Sequence, residues 1–238
     1  TFAGTTHYDI DKTINNLTLN HASLIQKLSD SSNLAGNLTI TAGEFNLNGR
    51  NLEVAGKTSI GPNTGAADDA KLTCSSGTIS LGSGKTDDNA IEVLKGGTFD
   101  GGSGTHTSGA INISTNDNAA AKIIFTSGNH TINSEYTSAN RFFELTSGTI
   151  THSDGTIILD SASSSEIQWS ATTGDNGPYN LTLNDAGMTV RARNALTVLN
   201  NLIITAGTYN TYSADGGADK DLTVTGYCDV TGTLTLNG

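Results

Sequence analysis

Short runs of alternating apolar and polar residues recur along the chain, among them LTL at 17–19, LTI at 38–40, AINI at 110–113, TIILD at 156–160 and LTVTG at 222–226. Alternation places every second side chain on the same side of an extended backbone, the period of a β-strand and not of a helix. The runs are three to five residues long and are separated by Gly, Asn, Asp and Ser, so the elements are short strands joined at sharp corners. Two stretches leave room for a short helix or cap, HASLIQKLS at 21–29 and AAAKIIF at 119–125. The first aligns with DAGMTVRAR later in the chain, which lacks a helical pattern, and this favours a strand there.

Such short strands are weak alone, and the chain repeats itself in a way that suggests how they are stabilised. Residues 16–46 align without a gap to residues 180–210, an offset of 164 with 13 of 31 positions identical. After a six-residue insertion, NLEVAG at 51–56 matches DLTVTG at 221–226, so related units lie at 14–60 and 178–238. A shorter signature, a small polar pair followed by Gly and a strand start, recurs around Gly43, Gly77, Gly97, Gly109, Gly128, Gly148 and Gly207. Several of its intervals cluster near 20 (77 to 97, 109 to 128, 128 to 148), with a break in phase at 97–109 and a gap between 148 and 207. If each interval is one turn of a coil, every strand pairs in parallel with its equivalent in the next turn, and alternate Leu, Ile and Val residues fill a continuous core. The fold predicted is an all-β parallel β-helix (β-solenoid) of about 20-residue coils. On that arithmetic it has roughly 10 to 12 coils in a single unit, 1–238, belonging to a longer chain. An antiparallel immunoglobulin-type sandwich explains less, since it needs no ungapped internal match and carries more aromatic core than 6 Phe, 6 Tyr and Trp169 provide. Glycines at the corners are expected to supply positive φ.

The run NLTLN, a variable piece, then NLTITAGEFNLNGRNLEVAG resembles the Gly/Thr/Asn-rich parallel β-helix repeats of bacteriophage virion proteins, tail or capsid-associated, and of bacterial surface adhesins. The resemblance covers the two terminal units and more loosely the stretch between them. It implies a rod-like structural role in a virion or at a cell surface.

Composition supports the strand reading. The chain of 238 residues holds 36 Thr, 24 Asn, 23 Ser and 28 Gly, all poor helix formers. Its charge alters the choice of partners: 12 Lys plus Arg against 23 Asp plus Glu give −11, with no local basic cluster, so no nucleic acid partner is expected. No apolar run approaches the roughly 20 residues of a membrane-spanning helix, and no membrane insertion is expected.

Candidate chemistry is sparse. Enzymes on this architecture need grouped carboxylates on one face, and the candidates are Asp68 with Asp69, Asp87 with Asp88, and Asp154 with Asp160. Adjacent residues of a strand face opposite ways, so the doublets read as solvated loops. Arg191 and Arg193 share a strand face, and either clamp an anionic sugar or pair with acids on adjacent coils, the latter being favoured. His130 and His152, 22 apart, suggest a two-His stack with no third ligand. GGSGTH at 101–106 fails the calcium β-roll motif because His106 replaces the acid, and YSADGGADK at 212–220 offers only a weak calcium loop. Cys74 and Cys228 read as small buried or half-buried residues, without a disulfide. No catalytic, metal or cofactor residue is assigned and no cofactor is expected. The expected role is a non-enzymatic structural or adhesion module in a virion or at an extracellular cell surface. Its partners would be other copies of itself, neighbouring surface proteins and a surface glycan. The competing reading is a glycan-binding or glycan-cleaving tailspike or secreted polysaccharide lyase.

Overall fold

In a computed structural model of the chain, which describes residues 4–8, 14–63, 70–113, 120–170, 173–212 and 218–236, the protein is a stack of short strands with no helix among those residues. Each turn carries three strands, one on each face of the stack. Every pairing between named strands is parallel and joins one turn to the next, as a β-solenoid requires. In the order the chain visits them, the first face includes Thr58–Ile60, Ile91–Val93, Ile111–Ile113, Arg141–Leu145, Ser164–Trp169, Thr189–Ala192 and Thr208–Asn210. The second includes Ala70–Thr73, Gly97–Asp100, Lys122–Ile124 and Thr149–Thr151. The third is a nine-stranded sheet running from Ser32–Leu34 through Leu52–Val54, Ile79–Leu81, His106–Ser108, Asn129–Ile132, Thr156–Leu159, Asn180–Leu183 and Leu202–Ile204 to Cys228–Val230. Two long strands near the start, Leu17–Leu28 and Leu38–Asn46, bend across both the first and second faces.

The turns are longer and fewer than the sequence arithmetic predicts. Register carries Leu34 to Val54, Leu81, Ser108, Ile132, Leu159, Leu183, Ile204 and Val230, one step per turn. The stack thus has about 8 turns with a spacing of about 25 along the chain. The reason lies in what the glycine signature marks. The strands that follow it, including Ile79–Leu81, Gly97–Asp100, Ile111–Ile113, Asn129–Ile132 and Thr149–Thr151, are every second strand of a three-strand turn. The signature therefore repeats every two-thirds of a turn and visits all three faces in rotation. The long internal match behaves alike. NLTL at 16–19 lies on the first face and NLTL at 180–183 on the third, so the two copies are offset by six and two-thirds turns, not eight.

Corners at all three edges of the stack make the same demand, a close approach to the carbonyls of the previous turn. Gly43 and Gly207 have the positive φ expected of them, at 86° and 79°. Gly77 does not, and is required for space: a Cβ there would overlap the Arg50 carbonyl oxygen. Gly104 and Gly128 continue the column above it, and a Cβ at Gly104 would overlap the Gly77 carbonyl oxygen. Substituting Gly104→Ala should therefore destabilise the protein by about 2 kcal/mol through forced backbone displacement. Gly84→Ala, where a Cβ meets nothing within 4 Å, should cost only the αL strain of about 1 kcal/mol. Urea midpoints of the two variants measure the difference.

Asparagines that open the NLTL, NLTI and NLEV runs tie one turn to the next. Asn16 Oδ1 accepts from the Asn37 backbone N–H at 2.7 Å, Asn37 Oδ1 from that of Lys57 at 2.8 Å, and Asn51 Oδ1 from that of Thr78 at 3.0 Å. Each bond satisfies a corner N–H that no strand ladder reaches. Inside, one cluster of buried side chains extends from Leu19 to Tyr209, built from the inward columns of all three faces. HASLIQKL lies in the strand Leu17–Leu28, as favoured, and the core of AAAKIIF forms the strand Lys122–Ile124 in place of the helix or cap that its pattern allows. Cys74 is buried and unpaired, and burial pushes its thiol far above the ordinary value. Cys228 is exposed, contrary to the expectation, because its strand, the last of the third face, is packed on one side only among the described residues.

Candidate functional site

The acidic pairs do not come together as catalytic dyads. Asp87 accepts a hydrogen bond from Lys85 Nζ at 2.5 Å, while Asp88 joins Glu92 around Lys57, at 3.2 and 2.9 Å. Burial pulls the Lys57 ammonium down, but the opposing pull of Glu92 and Asp88 wins and holds its pKa above the ordinary value. Asp154 and Asp160 flank opposite ends of the third-face strand Thr156–Leu159. Asp68 and Asp69 lie outside the described residues, as does most of the 212–220 loop considered for calcium.

The histidines separate as well. His152 sits at a corner, where Nδ1 accepts from the Asp154 backbone N–H at 2.9 Å, Nε2 lies 3.5 Å from Asp175 Oδ2, and the ring stacks on Tyr179 at 5.0 Å. His130 is inside the core and its neighbours in register are His106, one turn earlier, and Ile157, one turn later, so the stack with His152 that the spacing suggests does not form. Among the described residues no three potential ligands group as a metal site. Among the described residues His106 has no hydrogen-bond partner on either ring nitrogen, and it lies in an aromatic nest with Phe99, at 6.1 Å, and His130, at 5.4 Å. Burial lowers its pKa to about 4, and burial with the nearby His106 lowers that of His130 well below its ordinary value.

Two surface depressions stand out among the described residues. A shallow groove on the third face is lined by Ser31, Asn33, Asn51, Glu53, Thr78 and Ser80, which come from three successive turns. Asn33, Glu53 and Ser80 are in register, and Asn33 Nδ2 donates to Glu53 Oε2 at 3.1 Å. The second depression, a recess of about 70 Å³, lies on the first face between Asn140, Ser164, Ser165, Glu166, Thr189 and Arg191. Here the solenoid stacks Arg141, Glu166 and Arg191 on three successive turns. Arg141 pairs with Glu144, and Arg193 Nη1 reaches Glu166 Oε2 at 3.3 Å, which is the pairing with an acid on an adjacent coil favoured by the sequence reading. Arg191 differs. Its Nε is enclosed without an acceptor, and no ion pair to it forms among the described residues.

No family model, curated protein or solved structure matches the chain. What the site can do therefore follows from its own chemistry. Three of the four arginines of an acidic chain meet on one face, around two glutamates, and among the described residues the Arg191 guanidinium has no ion-pair partner beside the hydroxyl and amide groups of the recess. Sequence spacing points to Arg191 and Arg193, but the third arginine, Arg141, lies two turns before Arg191 and joins them only through the stacking of turns.

Proposed function

We propose that the chain is a non-enzymatic structural and adhesion module, a rigid β-helical component of a virion or cell-surface assembly. The observation that carries this reading is the single core that runs without interruption from Leu19 to Tyr209 along a ladder of parallel strands. Each turn is locked to the next by backbone hydrogen bonds, so the stack resists bending while its outward Thr, Ser and Asn side chains remain free to vary. The likeness of its NLTLN and NLTITAGEFN runs to phage virion and adhesin repeats points the same way. Partners of this reading are further copies of the chain or neighbouring surface proteins.

Electron cryo-microscopy of the native source particle tests the proposal. Ordered copies repeated at fixed positions in a virion or surface layer are the expected result. Release of oligosaccharides from a polysaccharide panel by the purified chain would overturn it in favour of a glycan-cleaving enzyme. The third-face groove of Asn33, Glu53 and Ser80 favours a second, compatible reading, that the rod holds a glycan without cleaving it.

A further inference from the structure

We infer that the first-face recess around Arg191 is a binding site for a carboxylate-bearing sugar, a uronic acid residue of an acidic glycan. The inference does not rest on the structural reading, since a rod or an enzyme could equally carry the site.

Four observations combine. Arg191 projects from Thr189–Ala192 beside Glu166 of the preceding turn, and both line the recess. Glu166 is only 7% exposed and its Oε2, which makes no hydrogen bond among the described residues, stands 3.3 Å from Arg193 Nη1; no hydrogen bond or ion pair joins Glu166 to Arg191 there. Arg191 has its Nε enclosed and meets no acceptor among the described residues, so an anion in the recess would give the rest of its guanidinium the partner that the protein does not. The remaining lining, Asn140, Ser164 and Thr189, offers hydroxyl and amide groups suited to a polyhydroxylated ligand.

The choice among anions follows from Glu166. Its carboxylate repels the doubly charged inorganic phosphate or sulfate ion about twice as strongly as a singly charged carboxylate, which needs one edge of one guanidinium. Arginine and carboxylate match in planar, two-pronged geometry, which an ammonium does not reproduce. The recess is small and admits the carboxylate, while the sugar ring stays at its open side with its hydroxyls against Asn140, Ser164 and Thr189.

The chain has four arginines, hence four side-chain Nε–H signals in a nitrogen-15 correlation spectrum, and the absence of one in Arg191→Lys identifies Arg191. Methyl glucuronoside, its methyl ester, methyl glucoside and sodium sulfate are titrated into the wild-type protein. The expected result is a saturable shift of the Arg191 signal with the glucuronoside alone, and an affinity at least about tenfold weaker in Arg191→Gln at unchanged thermal midpoint. The inference is overturned by the absence of a saturable shift up to about 50 mM glucuronoside, by an equal response to the neutral ester or glucoside, by an equal response to sulfate, or by a shift confined to another arginine. These spectra need only the wild-type chain and one conservative variant, so a folding defect in Arg191→Gln leaves the test intact. Oligosaccharide release would overturn the structural reading without touching this one.

Discussion

Between pH 7 and pH 4.5 the protein should lose stability steeply, and Leu in place of His106 should remove about 2.5 kcal/mol of that loss. The sign follows from proton uptake. In the unfolded chain His106 titrates near 6.5, whereas in the folded core burial lowers it to about 4. Between those values the unfolded state binds more protons than the folded state, so stability falls as the pH falls. Above about 6.5 both states are neutral and the penalty vanishes. No carboxylate among the described residues pairs with the imidazole to soften the effect: its aromatic neighbours are Phe99 and His130, and both of its nitrogens lack partners. His130 adds a further penalty of the same sign, since it too is buried and neutral. Its Nε2 lies 2.8 Å from Ser108 Oγ, which itself donates to the Gly109 carbonyl at 2.9 Å, so Nε2 carries the proton and Nδ1 is left bare. Urea denaturation of wild type and His106→Leu at pH 7.0 and 4.5 provides the measurement. The two proteins should differ little at the higher pH and by about 2.5 kcal/mol at the lower one, with the variant more stable. Parallel losses in the two proteins would show that His106 does not titrate in this way.

That pair also shows where the sequence is opaque. Alternating apolar runs and corner glycines make the solenoid legible, because a strand period of two and a steric demand at each corner are properties of adjacent residues. The length of a turn is not legible in the same way. The glycine signature marks a corner, and a three-cornered coil has three chemically equivalent places to put it. Gly77, Gly97, Gly109, Gly128 and Gly148 advance by two corners each, so their spacing reports two-thirds of a turn and invites a count of turns that is too high. Everything that depends on register fails with that count: the spacing sets His130 against His152 whereas its neighbour is His106, and it leaves Arg141 unconnected to Glu166 and Arg191. The corner asparagines carry part of the missing information. Asn16 and Asn37 occupy one corner on successive turns, so their spacing reports a whole early turn, but the ladder passes to Lys57 and stops before the longer middle turns.

Replacing Trp169 by Ala should produce the largest single loss of stability, about 3 to 5 kcal/mol. The lone tryptophan, counted in the sequence only toward a sparse aromatic core, holds that core together at one junction. It is 3% exposed, at the end of the first-face strand Ser164–Trp169. Its indole stacks on Phe125, just past the second-face strand Lys122–Ile124, at 5.7 Å and 25°, and meets the edge of Phe143 on the preceding turn at 5.7 Å and 85°. The indole N–H donates to the Asp175 carbonyl at 2.8 Å, and Asn194 of the next turn brackets the Trp169 backbone, accepting from its N–H at 3.1 Å and donating to its carbonyl at 2.7 Å. The residue thus ties its own turn to those on both sides. In a solenoid each turn is stabilised by its neighbours, so a cavity at such a junction weakens two interfaces together. Trp169→Phe should cost less, about 2 kcal/mol, because ring packing survives while the bond to Asp175 is lost. Circular dichroism in urea gives the ordering, since the variants lack the tryptophan fluorophore. Hydrogen exchange locates the damage: amides of Arg141–Leu145, Thr149–Thr151 and Thr189–Ala192 should lose protection before those of Ser32–Leu34 and Leu52–Val54. Uniform loss along the stack would mean that the turns unfold as one cooperative unit, and a loss under about 1 kcal/mol would mean that Trp169 does not hold the junction together.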